Sequence, residues 1–243
     1  MNALIGWSGF VGSTLRKQAS FAREFRSTDV EGLAAEAYDC VVCAGAPGAK
    51  WLANREPDAD RGSLARLTAA LGGLRCRRFV LISTVDVFDT PRDVDETSLV
   101  EPARHPYGRH RWELEGFVRG RFPNSLVVRL PGLVGPGLRK NALFDLLNRH
   151  ELDKLDGAAV HQFYPMDRLW SDIQLALARG LRLVHLVAEP VRLDDVAPVF
   201  GVTLAAKGPS VHYDVRSVHG AVSRQESMAA IEAYARTELR TRA

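Results

Sequence analysis

The heptapeptide Gly6-Trp7-Ser8-Gly9-Phe10-Val11-Gly12 follows directly on the apolar run Ala3-Leu4-Ile5 and leads into a segment of helical period containing Leu15. Glycines in a strand-to-helix turn keep the turn tight and let the backbone come close to a pyrophosphate. The helix start then offers it unpaired N–H groups and the positive end of the helix dipole. The spacing here is G-x-x-G-x-x-G rather than G-x-G-x-x-G, but the strand–turn–helix setting is the one such a motif needs. Gly6, Gly9 and Gly12 are therefore candidate dinucleotide-binding residues.

Working outward, short apolar runs recur at Ala3–Ile5, Ala22–Phe25, Cys40–Ala44, Phe79–Ser83, Leu126–Leu130 and Leu183–Val187. Between them lie segments of helical period. Ser63–Leu74 carries Leu64, Leu67, Leu71 and Leu74 on one face, and in Tyr107–Val118 the residues Leu114 and Val118 continue the stripe from Tyr107. Alternation of this kind predicts an α/β fold, a doubly wound parallel sheet of Rossmann type. After Arg139 the strand signal thins, and Asn141–Asn148, Leu169–Leu181 and a helix after Ser223, opened by the capping box Ser223/Glu226, predict a small, mostly helical C-terminal substrate region that partly completes the sheet. The organisation expected is a dinucleotide-binding domain over 1–138 and the C-terminal region over 139–243. The Pro/Gly-rich stretch Pro131–Gly137 is where the sheet is expected to give way.

Composition agrees with a single folded α/β unit plus a small lobe. The 243 residues are 46% hydrophobic and 25% charged, with 20 Gly, 12 Pro and 3 Cys, which excludes a disordered chain and a disulfide scaffold. The net charge is +3 with both signs interspersed, so no nucleic-acid polymer or membrane is expected as a partner. No leading basic-plus-apolar segment and no run of about 18 apolar residues is present, which points to the cytoplasm. Of the 32 basic residues 27 are arginine, the lysines being 17, 50, 140, 154 and 207. Cys40 and Cys43 sit in the apolar run YDCVVCAGA and, three apart on a strand, point to opposite faces, so they read as core rather than as a metal or redox pair.

Other candidates lie at the ends of the predicted strands. Arg26 and Ser27, after the second strand, suit a cofactor carrying a 2′-phosphate, whereas Asp29 close by suits one without it. Ala44, Gly45 and Ala46 are small enough to leave room for a ligand over the third strand, and a plain loop accounts for them as well. The fourth strand presents Thr84. Tyr107 and Arg111, four apart, share one helical face, and a fixed cation beside a phenol stabilises its ionised form. Arg139-Lys140-Asn141, opening a helix, is placed to meet a substrate pyrophosphate or else is a solvated helix start.

Taken in order, GWSGFVG, ISTVDVF, PYGRHR and VVRLPGLVGPG resemble the short-chain dehydrogenase/reductase superfamily, in its extended branch of nucleotide-sugar epimerases, dehydratases and reductases. The resemblance is good over about residues 1–140 and loose beyond. It implies that Gly6, Gly9 and Gly12, with Ser8, Phe10 and Val11, line a phosphate-binding turn, that Thr84 bonds the substrate oxygen and that Tyr107 is the catalytic acid/base. Pro131 begins a turn near the nicotinamide. Val85 stands where the dehydratases have the first of two acidic residues and Asp86 where they have the second, so the run is more similar to reductases of 4-keto nucleotide sugars. Arg111 falls where the family has a lysine that contacts the ribose and lowers the tyrosine pKa. Arginine keeps the charge but has a different shape.

The resulting expectation is an NAD(P)-dependent oxidoreductase or epimerase acting on a nucleotide-linked sugar, with NADP preferred and a homodimer implied by the resemblance. A non-catalytic NAD(P)-binding sensor or complex subunit is the alternative, and a reductase of another small carbonyl compound a third.

Overall fold

The computed structural model describes residues 1–30, 32–208 and 210–240. In chain order the elements are β1 (Asn2–Ile5), α1 (Phe10–Gln18), β2 (Arg23–Phe25), β3 (Ala37–Cys43), α2 (Lys50–Arg55), α3 (Pro57–Gly72), β4 (Arg75–Thr84), β5 (Arg92–Val94), α4 (Pro106–Arg121), β6 (Ser125–Leu130), β7 (Gly132–Val134), α5 (Ala142–Asn148), β8 (Val160–His161), β9 (Phe163–Pro165), α6 (Leu169–Ala178), β10 (Leu183–His185), β11 (Val191–Arg192), α7 (Leu193–Val196), β12 (Asp214–Val215) and α8 (Arg224–Arg240). They form two compact units that interleave in sequence. One is Met1–Thr90, Leu99–Arg129 and Arg168–Val184; the other is Pro91–Ser98, Leu130–Asp167 and His185–Ala243. A single cut at 138/139 would place 91–98, 130–138 and 168–184 with the opposite unit. Among the described residues no helix is long and apolar enough to cross a membrane.

The first unit is built on a parallel sheet, six-stranded among the described residues, in the order β10-β6-β4-β3-β1-β2. Each of the six apolar runs contributes one strand. Ala3, Leu4 and Ile5 of β1, Val41, Val42 and Cys43 of β3 and Phe79, Val80 and Leu81 of β4 are wholly buried, as parallel strands covered on both faces must be. Cys43, paired with Leu81 across the ladder, has its thiol pushed up to about 11 by burial, and the three cysteines are free. From β1 the chain passes to β2 on one side and then to β3 on the other. The reversal makes a switch point at the carboxyl ends of β1 and β3, the place where doubly wound sheets leave a ligand crevice.

Helix α3 starts with Pro57 in its first turn and packs Leu64, Leu67 and Leu71 into the core. Helix α4 begins at Pro106, capped by the His105 side chain, which accepts from Gly108 N–H. Its buried face carries Leu114 and Val118 as expected, and also His110, Arg111 and Glu115. A helix buries such groups only when each finds a charged partner. Glu115 does: it accepts from Arg129 of β6 at 3.0 and 2.7 Å and from the Ser83 hydroxyl of β4 at 2.6 Å. The pair is 0% and 1% exposed, and Arg129 also stacks over the Phe88 ring.

The second unit holds short strand pairs, β7 with β9, β8 with β11 and β5 with β12, beside α5, α7 and α8. The helices at 142–148 and 224–240 match the sequence pattern, and Ser223 and Glu226 exchange the hydrogen bonds of a capping box. The paired strands have two or three residues each, too few to display a period of two in the sequence. Glu96 ties this unit together. Its carboxylate accepts from His185 N–H, the Ser217 hydroxyl and Val218 N–H. Burial alone would raise its pKa, and these hydrogen bonds more than offset that, holding it below the usual carboxylate range.

Candidate active site

The turn after β1 is fixed by sterics. Gly6 adopts φ +83°, and a Cβ on it would lie 2.4 Å from the Ala44 carbonyl oxygen, so glycine is what lets the ends of β1 and β3 touch. A Cβ on Gly12 would lie 2.0 Å from the Gly6 carbonyl oxygen, which brings α1 against the turn. Gly9 is different. It is exposed, and a Cβ there would meet no protein atom closer than 3.5 Å. Gly9 forms the N-cap of α1 without a side-chain cap, leaving first-turn N–H groups for a ligand. Ser8 is exposed, and Phe10 and Val11 are half-buried.

Trp7, inside the glycine turn, has two arginines against its ring. The guanidinium of Arg16 stands 4.7 Å and that of Arg26 5.1 Å from its ring centroid, within cation–π range. Arg26, just after β2, is exposed, and its carbonyl accepts from Asp29 N–H in a tight turn. Gly45 is buried, and a Cβ on it would press on Ile5, Ser27 and Leu67 at 3.2–3.5 Å, so the ends of β1, β2 and β3 converge there. Ala44 and Ala46 beside it are half-buried.

At the end of β4 the Thr84 hydroxyl accepts from Asp86 N–H at 3.1 Å and donates to Asp86 Oδ2 at 3.3 Å. The other Asp86 oxygen accepts from Lys50 Nζ at 2.7 Å. Helix α4 presses its first turn on this loop: a Cβ on Gly108 would lie 1.9 Å from the Asp86 carbonyl oxygen. Glycine after Tyr107 is thus what lets the first turn of α4 close on the loop that follows Thr84. Burial pushes Tyr107 up to about 12; Arg111 and Thr84 pull it down, while Asp86 and Asp60 push it up.

Arg111 lies with its guanidinium carbon 4.1 Å over the Tyr107 ring but spends its donors elsewhere. They go to both Asp60 oxygens at 2.5 and 2.8 Å, to the Pro47 carbonyl at 2.5 Å and to the Tyr107 carbonyl at 3.3 Å. His110 joins Asp60 at 2.8 Å. Burial alone would raise Asp60; the bonds from Arg111 and His110 outweigh it and hold the carboxyl below its ordinary value. Among the described residues the Arg111 Nε finds no partner.

The structure thus gathers Gly6, Gly9, Gly12, Ala44, Gly45, Thr84, Asp86, Tyr107 and Arg111 in the first unit and adds Lys50 and Asp60. In the second unit Pro131 is half-buried between β6 and β7, and Arg139 and Lys140 are exposed. Asn141 is occupied as a helix cap: its Oδ1 accepts from Leu143 and Phe144 N–H, and its Nδ2 donates to the Leu133 carbonyl. The helix it caps has seven residues.

No protein-family model and no curated protein matches the sequence. Solved structures do match it over nearly its whole length. A dTDP-4-dehydrorhamnose reductase of Clostridium acetobutylicum has TM-score 0.74 at 19% identity, over 98% of this chain and 100% of that one. A UDP-glucose 4-epimerase of Thermotoga maritima, solved with UDP-glucose, has TM-score 0.75 at 16% identity, over 98% and 100%. A dTDP-4-dehydrorhamnose reductase of Bacillus anthracis in complex with NADP has TM-score 0.75 at 14% identity, over 96% of each chain. At these identities the likeness establishes the fold: the chain is folded as the extended short-chain dehydrogenases/reductases are.

Proposed function

We propose that the chain is an NAD(P)-dependent oxidoreductase or epimerase acting on a sugar linked to a nucleotide, with Tyr107 moving the proton. The observation that carries this reading is the Thr84–Tyr107 hydroxyl pair at the carboxyl end of β4, in the same unit as the glycine turn. Doubly wound sheets bind their ligands at that end. Two features suit a dinucleotide there. Gly9 is glycine although the protein itself leaves room for a side chain, and Arg111 keeps one buried donor unused. When bound, the cofactor supplies hydride. Thr84 orients the carbonyl oxygen, Tyr107 gives it a proton and the Arg111 charge steadies the phenolate that remains. Nucleotide-sugar enzymes of the same fold support the substrate class.

Arg26 supports NADP over NAD, because an arginine at the end of β2 suits a 2′-phosphate. Fluorescence titration with NADPH and NADH, repeated in the presence of a panel of nucleotide sugars, tests the reading. NADPH is expected to bind about tenfold more tightly, the strength of one charge-assisted contact, and Arg26→Ala to remove the difference. Equal affinities in the parent would remove the NADP preference, and no binding of either would remove the reading.

The glycine turn gives a paired expectation. Gly12→Ala drives a Cβ into the Gly6 carbonyl and is expected to destabilise the fold by about 1–3 kcal/mol. Gly9→Ala is expected to leave thermal stability within about 0.5 kcal/mol while cutting NADPH affinity about tenfold or more. Unchanged affinity in Gly9→Ala would mean that the turn holds no phosphate.

The commitment of Arg111 to Asp60 favours, as a second reading, a protein that binds the dinucleotide without catalysis, a sensor or complex subunit. Hydride transfer absent from the parent and gained in Arg111→Lys would select it.

A further inference from the structure

Each reduction at a buried tyrosine consumes the phenol proton, and the site must return one. Arg111 is unsuited to that task, because a guanidinium does not release a proton in a protein and both of its terminal nitrogens are held by Asp60. Another row of side chains runs outward from Tyr107. The Thr84 hydroxyl stands close enough to the phenol to draw its pKa down and lies 3.3 Å from Asp86 Oδ2, and Asp86 Oδ1 lies 2.7 Å from Lys50 Nζ. Thr84 and Tyr107 are buried, whereas the Asp86 and Lys50 side chains are 15% and 38% exposed. The row therefore leads from the interior to solvent.

We propose that Thr84, Asp86 and Lys50 are a proton relay that recharges Tyr107 from solvent; the inference rests on the reductase reading above, with a reduced nicotinamide dinucleotide as the hydride source. Once hydride has bonded to the carbonyl carbon, the C=O π pair becomes the new O–H bond with the proton of Tyr107. The phenolate takes the Thr84 hydroxyl proton, the Thr84 oxygen takes one through Asp86 and Asp86 takes one from the Lys50 ammonium. The Lys50 amine is then reprotonated by water. One solvent proton enters per hydride, and every group in the row returns to its starting state. A phenolate whose conjugate acid lies at about 12 is basic enough to draw the proton inward. His105 and Asp89 are titratable groups near this row as well, and the His105 Nδ1 is taken by Gly108 N–H at 3.1 Å.

Two measurements test the relay. The first needs no substrate: tyrosinate absorbance in the cofactor-free protein, taken as the difference from Tyr107→Phe, reports Tyr107 alone. The charged groups facing it are Arg111, Asp86 and Asp60. Asp86→Asn removes a negative charge and is expected to lower its ionisation midpoint by about half a pH unit or more; Lys50→Met, which leaves Asp86 uncompensated, is expected to raise it. A midpoint unmoved in both variants breaks the row and overturns the proposal.

The second follows NADPH oxidation by a 4-keto nucleotide sugar. Lys50→Met and Asp86→Asn are expected to lower kcat about tenfold with KM for NADPH unchanged, to raise the solvent deuterium isotope effect and to regain rate with added methylamine or imidazole. Lys50→Arg keeps the charge but releases no proton, so it is expected to stay slow. A full rate in Lys50→Arg overturns the relay. If Tyr107→Phe is inactive while Asp86→Asn and Lys50→Met run at full rate, the relay alone falls. If Tyr107→Phe turns over like the parent, the reductase reading falls with it.

Discussion

Tyr107→Phe is expected to lose turnover by about 10²–10⁴-fold, the usual contribution of a positioned general acid, while binding NADPH as the parent does. The ring that lies under Arg111 stays, and only the hydroxyl goes. The pH dependence follows from the direction of the shift. Burial holds the phenol protonated up to about 12, so the proton donor is present throughout the neutral range. Reduction should therefore show no alkaline loss attributable to Tyr107 below about pH 11, whereas the reverse reaction, which needs phenolate, should gain with rising pH. Initial rates and fluorescence titration on the same preparation check both points. Turnover within about threefold of the parent would take Tyr107 out of the chemistry.

Glu115→Ala is expected to cost about 3–5 kcal/mol, because it takes the carboxylate away from a buried arginine. Arg129 is 1% exposed and donates to both carboxylate oxygens of Glu115, which also accepts from the Ser83 hydroxyl. Alanine would leave the guanidinium and the Ser83 hydroxyl without the carboxylate they bond. At about 2–4 °C per kcal/mol for a chain of this size, Tm should fall by roughly 6–20 °C. The double variant Glu115→Leu with Arg129→Met removes both charges, and its loss should be far smaller than that of Glu115→Ala. A single variant as stable as the parent by thermal or urea unfolding would show that the pair carries no such weight.

The sheet was open to sequence reading for a physical reason. Strands buried on both faces must be apolar throughout, so Ala3–Ile5 or Phe79–Ser83 declares itself without any partner being known. The glycine turn was legible because Gly6 and Gly12 answer to sterics that a short segment displays, and Thr84 and Tyr107 because their spacing fits a strand end and a helix start. The partner of Arg111 was not legible. Asp60 lies 51 positions away and reads as an ordinary acidic residue in a first helical turn, its favoured place in any helix. Lys50 opens α2, and nothing local marks a lysine at a helix start as the neighbour of an aspartate 36 positions away. Arg129, inside an apolar strand, and Trp7, inside the glycine turn, acquire partners only when the sheet assembles. The arginine-rich composition had made the cation at position 111 look like a simple replacement of lysine; the fold gives that guanidinium a carboxylate of its own.

The two rims of the sheet bear on how the protein behaves in crowded solution. An edge strand exposes unpaired N–H and C=O groups on which a second chain can template, and this is a common start of aggregation. Here the rim strands β2 and β10 have three residues each. On β2, two of the three are Arg23 and Glu24, the latter paired with Arg16 at 2.9 Å. On β10, the His185 N–H is already taken by Glu96. So little free ladder, flanked by charge, gives a foreign strand almost nothing to extend, and the protein protects a strongly apolar parallel sheet from growing by keeping its margins short.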